Sequence, residues 1–159
     1  MKIVKDLNFA EFRSELFHTL DNIKEIVLST TSQNRVTSRV VSCACYGPKI
    51  YFLSWDHHTK CRQIRENPQV ALCHETLQLE GIAKIKGDAL ATENQHYAEK
   101  YRAKQPRIFD LFTPFEGMTL VEVTITSITS YPIKETEDYY LDHIDFSEAT
   151  AFRSYMKRI

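Results

Sequence analysis

A chain of 159 residues has the length of one domain with a real core, since chains near 150 residues bury roughly 70% of the surface their unfolded form exposes. Its 43% hydrophobic and 26% charged residues balance to a formal net charge of −1, which argues against a dedicated nucleic-acid binder with its basic excess. Neither a signal pattern nor an apolar run long enough to span a bilayer is legible, so a cytoplasmic protein without membrane contact is expected.

Residues 8–23 place Phe9, Phe12, Leu16, Phe17, Leu20 and Ile23 on one helical stripe. Asn8 precedes it as N-cap, with Glu11 at the capping-box spacing. Two β-rich runs follow, 25–32 and 35–46, joined by Gln33-Asn34 as a tight hairpin. Gly47-Pro48 marks a turn before a third strand at 49–55. A short charged helix comes next, then strands at 69–75 and 78–91, a helix at 93–104, and a short one at 107–112. The Thr/Val/Ile alternation of 118–133 predicts a long strand, and Ser147 is read as the N-cap of a terminal helix over 147–158.

Six or so strands with few, peripheral helices predict a mainly β fold, an antiparallel barrel or closed sheet. Strand and helix do not alternate, which counts against a doubly wound arrangement. No repeat, linker or composition break divides residues 1–159, so one domain is expected.

Cys43 and Cys45 stand two apart in a strand-like run and share a face. Zinc sites use a C-x₂₋₄-C spacing with a second pair, and Cys61, Cys73, His57, His58 and His74 add only a loose cluster. Buried thiols acting as small hydrophobes are expected, and no metal site.

The stretch "SWDHHTKCRQIRENPQV" (54–70) is charged against the helix dipole. Lys60 and Arg62 fall near the start of the helix and Glu66 near its end, although a helix start favours acids by about 0.3–1 kcal/mol. Two accounts are open. The turn is merely solvated, with Asp56 as an N-cap offsetting Lys60; or the unpaired amides of the first turn, Lys60, and the hydroxyls of Ser54 and Thr59 await an anion such as a phosphate. Arg39 adds to the second account, because in a strand it shares a face with Val41 and Cys43 and needs a partner there, either an acid elsewhere or a ligand phosphate.

Taken in order, "RVTSRVV…KIYFLSWDHHTKCRQIRENPQVAL…EGIAKIKGDA" resembles the FMN-binding split-barrel family related to pyridoxamine 5′-phosphate oxidase. Arg39 in the second strand, Ser54 ending the third, Lys60 in the turn, Asn67-Pro68, Val70, Leu72 and Gly87 stand where that pattern has them, over roughly residues 22–131. Residues 132–159 then form a C-terminal extension.

The resemblance implies an antiparallel six-stranded split β-barrel that binds FMN at a homodimer interface. By analogy Arg39, Thr59 and Lys60 hold the phosphate with help from Ser54. Val40, Val41 and Ser42 offer backbone groups to the isoalloxazine edge, and Leu53 packs beside it. The implied activity is that of an FMN-dependent oxidoreductase acting on a small molecule, with a nicotinamide electron donor. His57 and His58 are candidates for contacting the cofactor, or are solvated turn residues. Tyr97 and Tyr101 line a substrate pocket or pack helix on barrel.

The chain also departs from the oxidases. Ala44 occupies the place of their substrate lysine, Thr59 the place of an arginine, and residues 138–159 hold no counterpart of their C-terminal Trp and Arg-x-His elements. Vitamin B6 oxidation is therefore not the expected activity. A second reading is a non-catalytic flavin or haem binder with His74 or His143 as ligand. A third, an oligonucleotide-binding barrel stacking bases on the aromatics of 49–55, is opposed by the net charge.

Overall fold

The computed structural model describes residues 3–131 and 139–156. Strand β1 (Ile3–Asp6) leads into helix α1 (Phe9–Asp21), which starts where expected: the Asn8 side chain accepts from the Glu11 amide at 3.0 Å. Leu16 and Leu20 from its apolar stripe are buried, and Phe9, Phe12 and Phe17 pack beside them.

Strands β2 (Glu25–Ser32) and β3 (Arg35–Tyr46) form the expected hairpin, with Ser32 opposite Arg35. Gln33 and Asn34 both take positive φ, 48° and 61°, the conformation that matches a two-residue turn to strand twist. β4 (Lys49–Trp55), helix α2 (Thr59–Glu66), β5 (Gln69–His74) and β6 (Leu77–Asp88) follow. A 3₁₀ turn (Thr92–Asn94) then opens the way to α3 (Gln95–Lys104) and α4 (Pro106–Phe112). Next come β7 (Met118–Ser130), β8 (Tyr139–Asp145) and β9 (Thr150–Met156).

Six of these strands close on themselves in the order β7-β4-β3-β2-β5-β6, with β6 paired back to β7, every pair antiparallel. This is the expected six-stranded barrel, and its strands span 25–130. Period-2 alternation fills it. Ile26 and Leu28, Cys43 and Cys45, Ile50 and Phe52, and Val121 and Val123 all point into one core. A second cluster, Ala44, Tyr51, Ala98, Tyr101, Phe109 and Leu120, sits where α3 and α4 cover the outside of β3, β4 and β7.

The chain end differs from expectation. Residues 150–156 form strand β9, not a helix, and pair with both β8 and β1 to extend the sheet beyond β7. Ser147, expected to cap a helix, is itself capped: the Asp145 carboxylate accepts from its amide, its hydroxyl and the Glu148 amide at 2.9, 2.6 and 2.9 Å. Ala149 then turns with φ 52°, closing a hairpin onto β8. The edge of β7 that β4 does not reach, Ser127–Ser130, supplies the template for β8 that local propensity could not reveal. Lys157 and Arg158 of the expected helix, and Pro132 and Ile133 of the expected long strand, lie outside the described residues. Among the described residues no helix is long and apolar enough to cross a membrane.

Candidate functional site

The barrel is split between β3 and β4. β2 follows β3 from Arg35 to Ser42, whereas β4 pairs with only Cys43–Tyr46, and the far end of β4, Leu53–Trp55, pairs with β7 alone. The Cys43 amide donates to the Lys24 carbonyl at 2.9 Å. Antiparallel alternation then commits the backbone of Val41 and Arg39 to β2 and turns that of Val40 and Ser42 into the opening. The Ser42 carbonyl accepts from the Tyr101 hydroxyl at 3.3 Å. The Val41 side chain is buried in the core, while Val40 is 61% exposed on the outer face.

Helix α2 plugs the barrel end next to this opening, with Cys61, Gln63 and Ile64 buried on its inner face. His58 is the N-cap, makes no side-chain cap bond, and no acid stands in the first turn. The amides of Cys61 and Arg62 reach the His58 carbonyl at 3.0 and 3.2 Å, while those of Thr59 and Lys60 meet no acceptor among the described residues. Asp56 does not cap the helix. It forms an ion pair with Arg65 in the last turn, where a base suits the dipole. The charge at Lys60 is thus left without the offset that a solvated-turn account requires.

Arg39 points into the lip of the barrel from β3. Its guanidinium donates to the Leu28 carbonyl at 3.2 Å, to Thr30 Oγ1 at 2.7 Å, and to Thr37 Oγ1. Lys60 Nζ lies 3.3 Å from His58 Nδ1. Among the described residues neither Arg39 nor Lys60 has a carboxylate within ion-pair distance. Both line one open cleft of about 320 Å³, together with His57, His58 and Thr59.

The basic groups at the cleft are shifted chiefly by burial. Burial holds the Lys60 ammonium below the usual lysine range, and repulsion from Arg39 acts the same way. Burial also lowers Arg39. Burial, then Lys60 and His57, hold the His58 imidazole below the usual histidine range. An anion in the cleft offsets the repulsive part of the Lys60 and His58 shifts.

The expected residues divide between the cleft and its surroundings. Arg39, Thr59 and Lys60 are brought together with both histidines. Ser54 is buried behind α2, its hydroxyl donating to the Trp55 carbonyl at 3.1 Å, and Leu53 packs against the second cluster under α3 and α4. Sequence reasoning missed Gln63, which is 4% exposed and whose Oε1 accepts from Thr30 Oγ1 and Thr37 Oγ1 at 2.6 Å each. A signal was present: Thr37 lies two residues before Arg39 on the same strand face, and Thr30 lies directly across from Thr37.

The other candidates have structural roles. Tyr101 is fully buried under α3, and Tyr97 tilts against Tyr51 at 5.8 Å with Lys86 Nζ 4.2 Å above its ring. Ala44 is fully buried in the same cluster. His143 uses both ring nitrogens, toward Thr129 Oγ1 at 3.1 Å and Ser154 Oγ at 3.3 Å, and stacks on Phe152. His74 Nδ1 lies 3.0 Å from the Glu25 carbonyl oxygen. Cys43, Cys45 and Cys61 are buried, but Cys73 is exposed, because its strand alternation turns it to the outer face of β5. Among the described residues no three His, Cys, Asp or Glu side chains gather as a metal site would need.

No protein-family model matches the chain, and no curated protein matches it in sequence. Solved structures do share its fold. One is an FAD-binding protein from Mesorhizobium loti, 12% identical over 96% of this chain and 98% of that one, with a TM-score of 0.59. Another is a pyridoxamine 5′-phosphate oxidase-related, FMN-binding protein from Nostoc punctiforme, 13% identical over 94% and 95%, with a TM-score of 0.56. A third is the haem storage protein HutZ from Vibrio cholerae, 15% identical over 70% and 88%, with a TM-score of 0.56. At these identities the likeness is one of fold: the chain is an antiparallel split barrel of the kind seen in these flavin- and haem-named proteins.

Proposed function

We propose that the chain is an FMN-dependent oxidoreductase of the pyridoxamine 5′-phosphate oxidase-like family, acting on a small molecule with electrons from a nicotinamide donor. The observation that carries this reading is the convergence of Arg39 and Lys60, neither paired with a carboxylate among the described residues, on the amides of Thr59 and Lys60, which likewise meet no acceptor there, beside the split. A phosphate dianion fits that set. It supplies the missing counter-charge, accepts from the amides, and forms charge-assisted bonds, the strong kind. The backbone of Val40 and Ser42, turned into the opening, fits the polar edge of a flat heterocycle. Bound FMN supplies hydride and electron transfer chemistry, and the protein supplies binding, orientation and exclusion of water.

Vitamin B6 oxidation is not part of the proposal. The position of the oxidases' substrate lysine is Ala44, fully buried beneath α3, with Tyr51 and Tyr101 in the same cluster. The haem reading keeps one of its two candidate ligands: both nitrogens of His143 are engaged, whereas His74 meets the Glu25 carbonyl through Nδ1 alone among the described residues.

A homodimer belongs to the same reading. The outer faces of β2, β3 and β6 expose Val27, Val36, Val40 and Ile82, and Val36, Ala71 and Ile82 line one shallow groove. These exposed apolar side chains, interleaved with Ser29, Ser38 and Thr31, make a candidate interaction surface, and a second copy seated there stands next to the split. Sedimentation of the wild type against Val36→Lys tests this; a monomeric wild type sinks the dimer.

The deciding experiment for the cofactor is a titration of flavin-free protein with FMN and with riboflavin, which differ only in the phosphate. Much tighter binding of FMN, with a yellow flavin spectrum in freshly purified protein, supports the proposal. Equal affinity for the two, or a Soret band instead, overturns it.

A further inference from the structure

Arg39 sits in a cradle made wholly of neutral groups. Its two terminal nitrogens donate to the Leu28 carbonyl, Thr30 Oγ1 and Thr37 Oγ1. A guanidinium has only donors, so each threonine oxygen must accept from it and must send its own proton elsewhere. Both protons go to one atom, Gln63 Oε1, at 2.6 Å from each hydroxyl. Gln63 Nε2 in turn donates to the Arg35 carbonyl at 2.8 Å. Each partner requires the next, so the amide of Gln63 has one orientation: oxygen to the hydroxyls, nitrogen to the carbonyl.

We propose that Gln63 is a positioning residue that aims Arg39 at the anion cleft and, by being an amide rather than a carboxylate, keeps the charge of that cleft uncancelled. This rests on the reading that Arg39 and Lys60 grip a phosphate. An acid at this position would hold the same two hydroxyls with nearly the same shape. It would lose the bond to the Arg35 carbonyl and place a negative charge one hydroxyl away from the guanidinium.

Gln63 also links the two halves of the cleft. It lies on α2, one turn beyond Lys60, and binds hydroxyls from β2 and β3 on either side of Arg39. The helix that presents its amides and Lys60 is thereby tied to the strand that presents Arg39, so the two cations are held at one spacing.

The test compares FMN with riboflavin binding in the wild type, Gln63→Glu and Thr37→Val. Gln63→Glu is expected to weaken FMN by roughly tenfold or more, about one charge-assisted bond, with riboflavin affinity little changed. Because the phosphate itself protonates at about pH 6, the readout is the ratio to the wild type at each pH: the lost discrimination should return in that ratio as the pH falls and the new carboxyl protonates, a response that a packing defect would not give. Thr37→Val removes one leg of the cradle without adding charge. It should lower FMN affinity selectively with no such pH recovery, and it decides the matter if Gln63→Glu fails to fold. A wild type that binds both flavins equally refutes the phosphate reading itself. A wild type that prefers FMN, with the preference intact in the folded variants, refutes the role of Gln63 alone.

Discussion

Replacing Lys60 by glutamine should move stability and cofactor affinity in opposite directions. Lys60 stands in the first turn of α2, where among the described residues no acid offsets it and two amides meet no acceptor. A base at that end of a helix costs about 0.3–1 kcal/mol, and the repulsion from Arg39 adds to it. Lys60→Gln removes the charge and keeps much of the stem that packs at the cleft wall. The flavin-free variant should therefore be more stable than the wild type by about 0.5–1 kcal/mol, a rise of roughly 1–4 °C in Tm for a domain of this size.

The same substitution removes one charge-assisted contact to a phosphate, worth about 1.5–3 kcal/mol, or roughly 10- to 150-fold in Kd. FMN should weaken by that factor while riboflavin barely changes. Urea unfolding of the flavin-free protein and fluorescence titration with both flavins read the two effects separately. The pH dependence gives a third check. Burial, with Arg39 acting in the same sense, holds Lys60 below its usual 10.5, so between the two values the unfolded chain binds the extra proton. Wild-type stability from this group therefore rises as the pH approaches 10.5, and Lys60→Gln lacks that rise. A variant less stable than the wild type, or one that loses FMN and riboflavin equally, refutes the claim that Lys60 is held at a cost for an anion.

Other perturbations test other parts of the molecule. His58 has its pKa held below 6.5 by burial, then by Lys60 and His57, so its neutral form contributes stability that is complete above about pH 6.5 and is lost as the pH falls through the folded value; His58→Gln should flatten that acid limb, and an unchanged limb assigns it to other groups. Trp55, the single tryptophan, lies 5.4 Å from the His58 ring at the cleft wall, so its emission should fall on FMN binding; unaltered emission at saturation places the flavin elsewhere. Gly81 leaves no room for a side chain, since a Cβ would stand 2.7 Å from Val123 Cγ1 and 2.8 Å from the Thr124 carbonyl oxygen. Gly81→Ala should therefore cost about 1–3 kcal/mol, and a wild-type melting curve would refute that packing. Arg153 holds Asp142 through Nε at 2.6 Å and NH2 at 2.8 Å, so Arg153→Ala should cost about 1.5–3 kcal/mol; a loss below about 0.5 kcal/mol in urea unfolding would show the pair to be solvated.

The barrel was legible wherever local pattern and tertiary demand coincide. Period-2 alternation marked β2 to β7, Gln33-Asn34 announced the hairpin through its need for positive φ, and Asn8 capped α1 as its side chain permits. The wrong sign of charge at Lys60 was likewise readable, because the helix dipole is a property of the segment alone. The chain end was not. Ser147 and the residues after it suit a helix by local chemistry, and only the edge of β7 that β4 does not reach and the carboxylate of Asp145 make them a turn and a strand.

The sequence by itself determined which residues alternate, which turn, and where positive charge accumulates, since each of these depends on neighbours a few positions away. Tertiary structure alone decided that Asp56 turns back to Arg65 and leaves the helix start bare, that β3 and β4 part beyond Cys43, and that Gln63 meets Thr30, Thr37 and Arg39 at one lip. Those contacts join groups from four separate elements. Hydrogen bonds and ion pairs form at 3 Å in space, and no spacing along a chain encodes which distant strand will supply the partner.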